Sequence, residues 1–214
     1  MGAQIAWIKA AVFVLALCPL ARLAVGAFAG ALGANPIEAI TRSTGTWTLS
    51  FLLITLCVTP LRKLTGWNWL LRLRRMLGLY AFFYAVLHFI TYVWLDQFFD
   101  LGAMVKDVVK RPFITAGFTS FLLLVPLAAT STSAMVKKLG AKKWLALHRL
   151  VYAVGVGGVI HYWWLVKRDI TQPAVYAAVL VVLLGLRLLY YARESAATAV
   201  ARRREPELRA TSQR

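Results

Sequence analysis

Apolar residues in this chain come in long runs separated by short polar connections. A helix that crosses a membrane needs roughly 20 mostly apolar residues. Six stretches approach that length: about Trp7–Ala29, Thr46–Leu61, Met76–Leu95, Phe113–Ala129, Leu147–Val166 and Ala174–Tyr191. The pattern predicts an all-α, six-helix transmembrane bundle, because a helix satisfies its own backbone groups inside lipid. No internal repeat is visible. The bundle is expected to occupy residues 1–192, followed by a basic tail, 193–214, that has few apolar residues and is expected to be mobile. The first run also has a second reading. Lys9, an apolar stretch and Ala27-Phe28-Ala29 fit a signal peptide with a small-residue cleavage site. Its length, and the agreement of a six-helix count with the charges, favour an uncleaved helix.

Composition sharpens this picture. The chain is 60 % hydrophobic and only 15 % charged, against about a quarter charged in soluble domains. A net charge of +17 is compatible with nucleic acid, but the basic residues cluster at the ends of apolar runs, which argues against that partner and for the lipid bilayer. The second connection carries Arg62, Lys63, Arg72, Arg74 and Arg75; the fourth carries Lys137, Lys138, Lys142 and Lys143; the tail carries Arg193 and Arg202–Arg204. In the third, Lys106, Lys110 and Arg111 face Asp96, Asp100 and Asp107. The positive-inside rule then puts both termini and the even connections in the cytoplasm. Trp94, Trp163 and Trp164 fall at the expected outer boundary. Cys18 and Cys57 lie in apolar runs and read as small buried hydrophobes.

The chain has three histidines, His88, His148 and His161, all within predicted spans. Ionisable residues inside a membrane are costly and mark functional sites, although a helix–helix hydrogen bond is the plainer alternative. His88 lies twelve residues into an outward-running helix that starts at Met76, about 18 Å from its inner end at 1.5 Å per residue. On the fifth helix, His148 is at the inner end and His161 is thirteen residues further, about 20 Å away. His88 and His161 therefore reach similar depth and suit the two axial positions of one haem iron. Thirteen residues turn a helix by about 220° net, so His148 and His161 do not share a face. Gly155, Gly157 and Gly158, between them, suit either a bend with close approach of a flat ring or simple close packing. A pairing of His88 with His148 across a bend remains the alternative.

Two histidines thirteen apart on one helix, with another on an earlier helix, resemble the ferric reductase-type transmembrane domain. The span from Asn35 to Tyr191 resembles the MsrQ family more closely, the haem-binding membrane subunit of a bacterial periplasmic methionine sulfoxide reductase system. The likeness rests on Asn35-Pro36-Ile37-Glu38 with Thr41-Arg42-Ser43-Thr44-Gly45, on Arg74-Arg75-Met76-Leu77-Gly78-Leu79, on Tyr84 with His88, on Leu147-His148-Arg149-Leu150 with Tyr152, and on His161-Tyr162-Trp163-Trp164. It implies an inner-membrane electron-transfer subunit with heme b, with FMN also associated with the family. Electrons would come from the quinone pool or a cytoplasmic flavin reductase. They would go to a periplasmic molybdenum-containing methionine sulfoxide reductase subunit, which repairs oxidised proteins. The chain departs from the wider group where a second histidine is usual near the inner end of the third helix, since that region reads Arg72-Leu73-Arg74-Arg75. A complete inner bis-histidine site is therefore in question, as is the part played by His148. With 23 residues after Tyr191, a separate electron donor is expected.

No catalytic constellation appears. Asp96, Asp100, Asp107 and Asp169 read as solvated loop carboxylates. Glu38 and Arg42 are spaced for a local ion pair. Arg22, Arg42 and Arg149 are candidates for haem propionates, and Arg187 is near enough to the inner face to snorkel. Tyr84, Tyr152 and Tyr162 suit either a cofactor pocket or packing with one hydrogen bond. Besides the electron-transfer subunit, two other functions fit the residues: a stand-alone transmembrane ferric or quinone reductase, and a non-redox transporter or scaffold.

Overall fold

The computed structural model describes the backbone of residues 2–212 and the side chains of residues 3–196 and Thr198. Nine α-helices are described: α1 (Gly2–Phe28), α2 (Pro36–Thr65), α3 (Leu71–Ile90), α4 (Leu101–Lys110), α5 (Pro112–Ala129), α6 (Ser133–Leu139), α7 (Ala141–His148), α8 (Leu150–Leu165) and α9 (Thr171–Ser212). Among the described residues there is no strand. Six spans result: α1, α2, α3 with its flanking turns, α5, α7 continued by α8, and α9. This is a multi-pass membrane protein of the expected architecture.

The ends of α2 show why it starts and stops where it does. Asn35 Oδ1 accepts from the Glu38 N–H at 3.2 Å, and Pro36 occupies the first helical position, where its missing donor costs nothing. Gly66 ends the helix at φ 74°, donating its N–H to the Arg62 carbonyl. Along α2, the hydroxyls of Thr41, Thr44, Thr48, Ser50 and Thr55 donate to carbonyls one turn back. This keeps polar side chains satisfied without water. After His88 the chain continues from α3 into a π-helical turn over Thr91–Asp96.

The core is built on α2 and α3. Leu49, Phe51, Leu52 and Leu56 pack on Leu77, Tyr80, Ala81 and Tyr84. The Phe51 ring stacks on Tyr84 with centroids 5.5 Å apart. α5 packs along α8, and the two pairs are joined by Phe89 on Phe121 at 4.7 Å. α9 lies against α2 and α8, and α1 against α2 and α3. Tyr80 and Tyr84 hold α1 by donating to the carbonyls of Phe13 and Ala16, at 2.9 and 2.7 Å. Tyr84 thus follows the packing reading.

Several expectations need correction. Cys18 is exposed and Cys57 half-buried rather than buried, and the second span begins at Pro36 rather than Thr46. Asp107 is not solvated: its side chain is 15 % exposed, pairs with Arg111 at 3.3 Å, and accepts from Tyr92 and Gln97. Arg187 does not snorkel. Its Nη2 donates to the Leu56 carbonyl at 2.9 Å and its Nη1 to the Tyr152 hydroxyl. The fifth span begins at Ala141 rather than Leu147, because α7 leads directly into α8; the short helix α6 fills the connection before it. Asp100 and Asp169 do local work: one caps α4 through the Ala103 N–H, and the other accepts from Thr171 at 3.0 Å. Hydrogen bonds from the Thr171 side chain and backbone hold the exposed Asp169 carboxyl below the usual carboxylate range. The backbone of the tail, expected to be mobile, continues α9 to Ser212; the Arg202–Arg204 side chains lie outside the described ones.

Candidate functional site

Residues 41–45 of α2 wrap one face of His88. The Thr41 carbonyl is 2.9 Å from His88 Nδ1 and the Thr44 hydroxyl 3.4 Å. A carbonyl can only accept, so Nδ1 carries the proton. In the neutral ring the lone pair then belongs to Nε2. His161 is held the same way: its Nδ1 is 2.6 Å from the Phe113 carbonyl at the start of α5. The two rings meet edge to face with centroids 6.1 Å apart and planes at 77°. Neither Nε2 has a hydrogen-bond partner among the described residues.

Each ring also rests on a glycine. A Cβ at Gly45 would lie 3.0 Å from His88 Cε1, and one at Gly117 would lie 2.7 Å from His161 Nδ1. Both are shorter than ordinary carbon contacts, so the rings occupy space that only glycine leaves. Sequence reading quoted Gly45 without a role and passed over Gly117. An isolated glycine in an apolar run gives no signal of what faces it.

His148 stands apart from this pair. It lies at the other end of the bundle, beside a half-open cavity of about 320 Å³ lined among others by Arg74, Arg75, Ser131, Thr132 and Trp144. Its ring stacks on Trp144 at 3.8 Å, and its Nδ1 is 3.0 Å from the Trp144 carbonyl. The indole N–H donates in turn to the Thr130 carbonyl at 2.9 Å. His148 Nε2 is buried with no partner among the described residues. Such an atom calls for a ligand, since an unsatisfied buried polar group is costly. Nearby, Arg187 lies over the Tyr152 ring at 5.1 Å, and its Nε is also buried and unpartnered.

Arg42 pairs with Glu38 at 2.8 Å on the surface. Tyr162 donates to Gln172 at 3.1 Å. Arg149 is exposed. Gly157 and Gly158 serve close packing, against Ser120 of α5 and Leu49 of α2.

A helical membrane bundle that brings two imidazoles together from α3 and α8 is of the ferric reductase-like transmembrane class. Accordingly, residues 44–159 match the model of the ferric reductase like transmembrane component family. Three relatives are similar over most of their lengths, and each is named "Protein-methionine-sulfoxide reductase heme-binding subunit MsrQ". The one from Herminiimonas arsenicoxydans is 57 % identical, covering 87 % of this chain and 87 % of its own. That from Azospira oryzae is 59 % identical over 87 % of this chain and 80 % of its own. That from Ralstonia nicotianae is 55 % identical over 91 % and 90 %. The chain belongs to the MsrQ family within the ferric reductase-like group. No solved structure matches it.

Proposed function

We propose that this chain carries electrons across a bacterial inner membrane to a periplasmic, molybdenum-containing catalytic subunit that reduces methionine sulfoxide. It would do so with heme b held between His88 and His161. The observation that carries this reading is the pair of carbonyl-anchored imidazoles 6.1 Å apart. With both Nδ1 atoms engaged by carbonyls, both Nε2 atoms would be the ones to hold an iron. The names of the relatives agree with a haem and with a subunit role. Bound there, a bis-imidazole haem supplies one-electron transfer.

The chain's own residues do the positioning. The Thr41 and Phe113 carbonyls fix the tautomer and aim each Nε2, as outer hydrogen bonds to ligating histidines do. Gly45 and Gly117 admit the rings. At the other end, the cavity beside His148 is where we place electron uptake, from the quinone pool or a cytoplasmic flavin reductase. Arg74 and Arg75 suit the phosphate of FMN or a carboxylate. Lys137, Lys138, Lys142 and Lys143 surround this end, which supports a cytoplasmic placement for it and for both termini. The α4 end then faces the periplasm.

The test is spectroscopic. His88→Ala and His161→Ala are each expected to abolish a low-spin haem spectrum in the purified protein or to convert it to high-spin. His148→Ala is expected to leave that spectrum largely intact and to slow reduction from the cytoplasmic side. A full low-spin spectrum in His161→Ala together with its loss in His148→Ala would overturn the assignment.

A further inference from the structure

Helix α4 divides its surface three ways. At about 100° per residue, Ala103, Met104, Asp107 and Val108 share one face, and all four are partly buried. Asp107 is fastened there by Arg111, Tyr92 and Gln97, so the rotation of the helix about its axis is set. Leu101, Val105 and Val109 form a stripe next to that face, 73 %, 65 % and 77 % exposed. Lys106 and Lys110 lie beyond the stripe, also exposed. The uncovered part of the helix is therefore split lengthwise, with an apolar edge beside a basic edge.

Both ends of α4 are tied to the ends of spans. The preceding span ends at Asp96, Asp100 caps α4, and Pro112 begins α5 directly after Arg111. Tyr92 and Gln97 donate to Asp107, and Thr115 of α5 donates to the Val108 carbonyl, so the helix is held against the end of the bundle. Its neighbours Trp94, Phe98 and Phe99 are 57 %, 76 % and 63 % exposed. Large amphipathic and aromatic side chains gather at the membrane–water boundary.

We infer that α4 is an interfacial helix seated in the lipid leaflet at this end of the bundle. Leu101, Val105 and Val109 enter the acyl boundary, and Lys106 and Lys110 extend to headgroup phosphates. A helix with one apolar edge and one cationic edge is the form that the lipid interface selects, and lysine stems reach from apolar surroundings to polar ones. A docking patch for a soluble protein would centre its apolar residues on the uncovered face; here they occupy only one edge of it. The consequence reaches the histidines. α4 runs through Arg111 and Pro112 into Phe113, whose carbonyl holds His161, so contact with lipid sets the height of that carbonyl relative to the membrane surface. The inference goes beyond the electron-transfer reading and does not depend on it.

Spin labels test it in nanodiscs of phosphatidylethanolamine and phosphatidylglycerol. Val105→Cys and Lys106→Cys are each made in the full chain with Cys18 and Cys57 replaced by Ala. Collision rates with oxygen, which partitions into lipid, are compared with those of a water-soluble nickel chelate. The Val105 label is expected to show a several-fold higher oxygen-to-nickel ratio than the Lys106 label. Equal ratios, or a higher ratio at Lys106, would overturn the inference. So would a Val105 label that is open to nickel in the free protein and is shielded only when a soluble methionine sulfoxide reductase subunit is added.

Discussion

Gly117 shows how much a missing methyl group decides. The His161 ring lies where a Cβ would sit, with Nδ1 at 2.7 Å, and the same Nδ1 is bonded to Phe113. Gly117→Ala is therefore expected to break that bond and reduce the low-spin haem fraction, read by absorption and EPR spectra. Gly45→Ala, with its closest approach at 3.0 Å, is expected to have the smaller effect. An unchanged spectrum in Gly117→Ala would show that the ring is free to move. Gly157 offers a contrast, because its neighbour is a hydroxyl. A Cβ there would lie only 2.2 Å from Ser120 Oγ. Gly157→Ala is expected to destabilise the protein by about 1–3 kcal/mol, as overpacking does. Adding Ser120→Ala should restore most of the loss, since among the described residues that hydroxyl bonds only to the Ala116 carbonyl of its own helix. Thermal unfolding in detergent measures both, and no rescue in the double variant would argue against the contact.

At the scale of elements, α3 and α8 act as two rulers. Arg74 and Arg75 of α3 line the cavity near one end, and His88 lies more than three turns further on. α8 carries His161, and α7 delivers His148 to the same cavity. Each helix therefore links the end that carries the cavity to the histidine pair, about 20 Å apart by helical rise. Asp107 ties α4 to Tyr92, Gln97 and Arg111. Asp107→Ala removes the partner of Arg111 and the acceptor for Tyr92 and Gln97. Amide hydrogen exchange is expected to rise over residues 101–110 and to stay unchanged in α2. Exchange that is equally slow in the variant would mean that α4 is held by lipid and packing without Asp107. The apolar pattern predicts all six spans but starts the second at Thr46 instead of Pro36 and the third at Met76 instead of Asn68, and it misses α4, α6 and α7. These helices are too short to register as spans, and the charges within them read as loop.

For the whole molecule, orientation decides which end takes up electrons. Reporter fusions after Arg75 and after Lys143 are expected to report cytoplasm, and a fusion near Asp100 periplasm. A cytoplasmic signal at Asp100 would reverse the direction proposed for electron flow. Transfer to the partner has its own test. In stopped flow, the chemically reduced protein is expected to reoxidise quickly only when a periplasmic methionine sulfoxide reductase subunit and its substrate are both present. Equal reoxidation by ferric chelates without that subunit would favour a stand-alone reductase.

Periodicity, charge and three histidines in apolar runs are local properties, and they are enough to read a six-span bundle with a shared depth for His88 and His161. The cost of leaving backbone or charge in hydrocarbon makes these signals strong. Tertiary structure decided which atoms meet. Thr41 and Phe113 act through their carbonyls, which every residue has and no sequence pattern distinguishes. Gly117 matters because of a ring 44 positions away, and Trp144 because it both stacks on His148 and accepts its Nδ1–H. Asp107 and Arg187 looked like solvated or snorkelling charges, since sequence shows a side chain's charge but not the partners that packing brings to it.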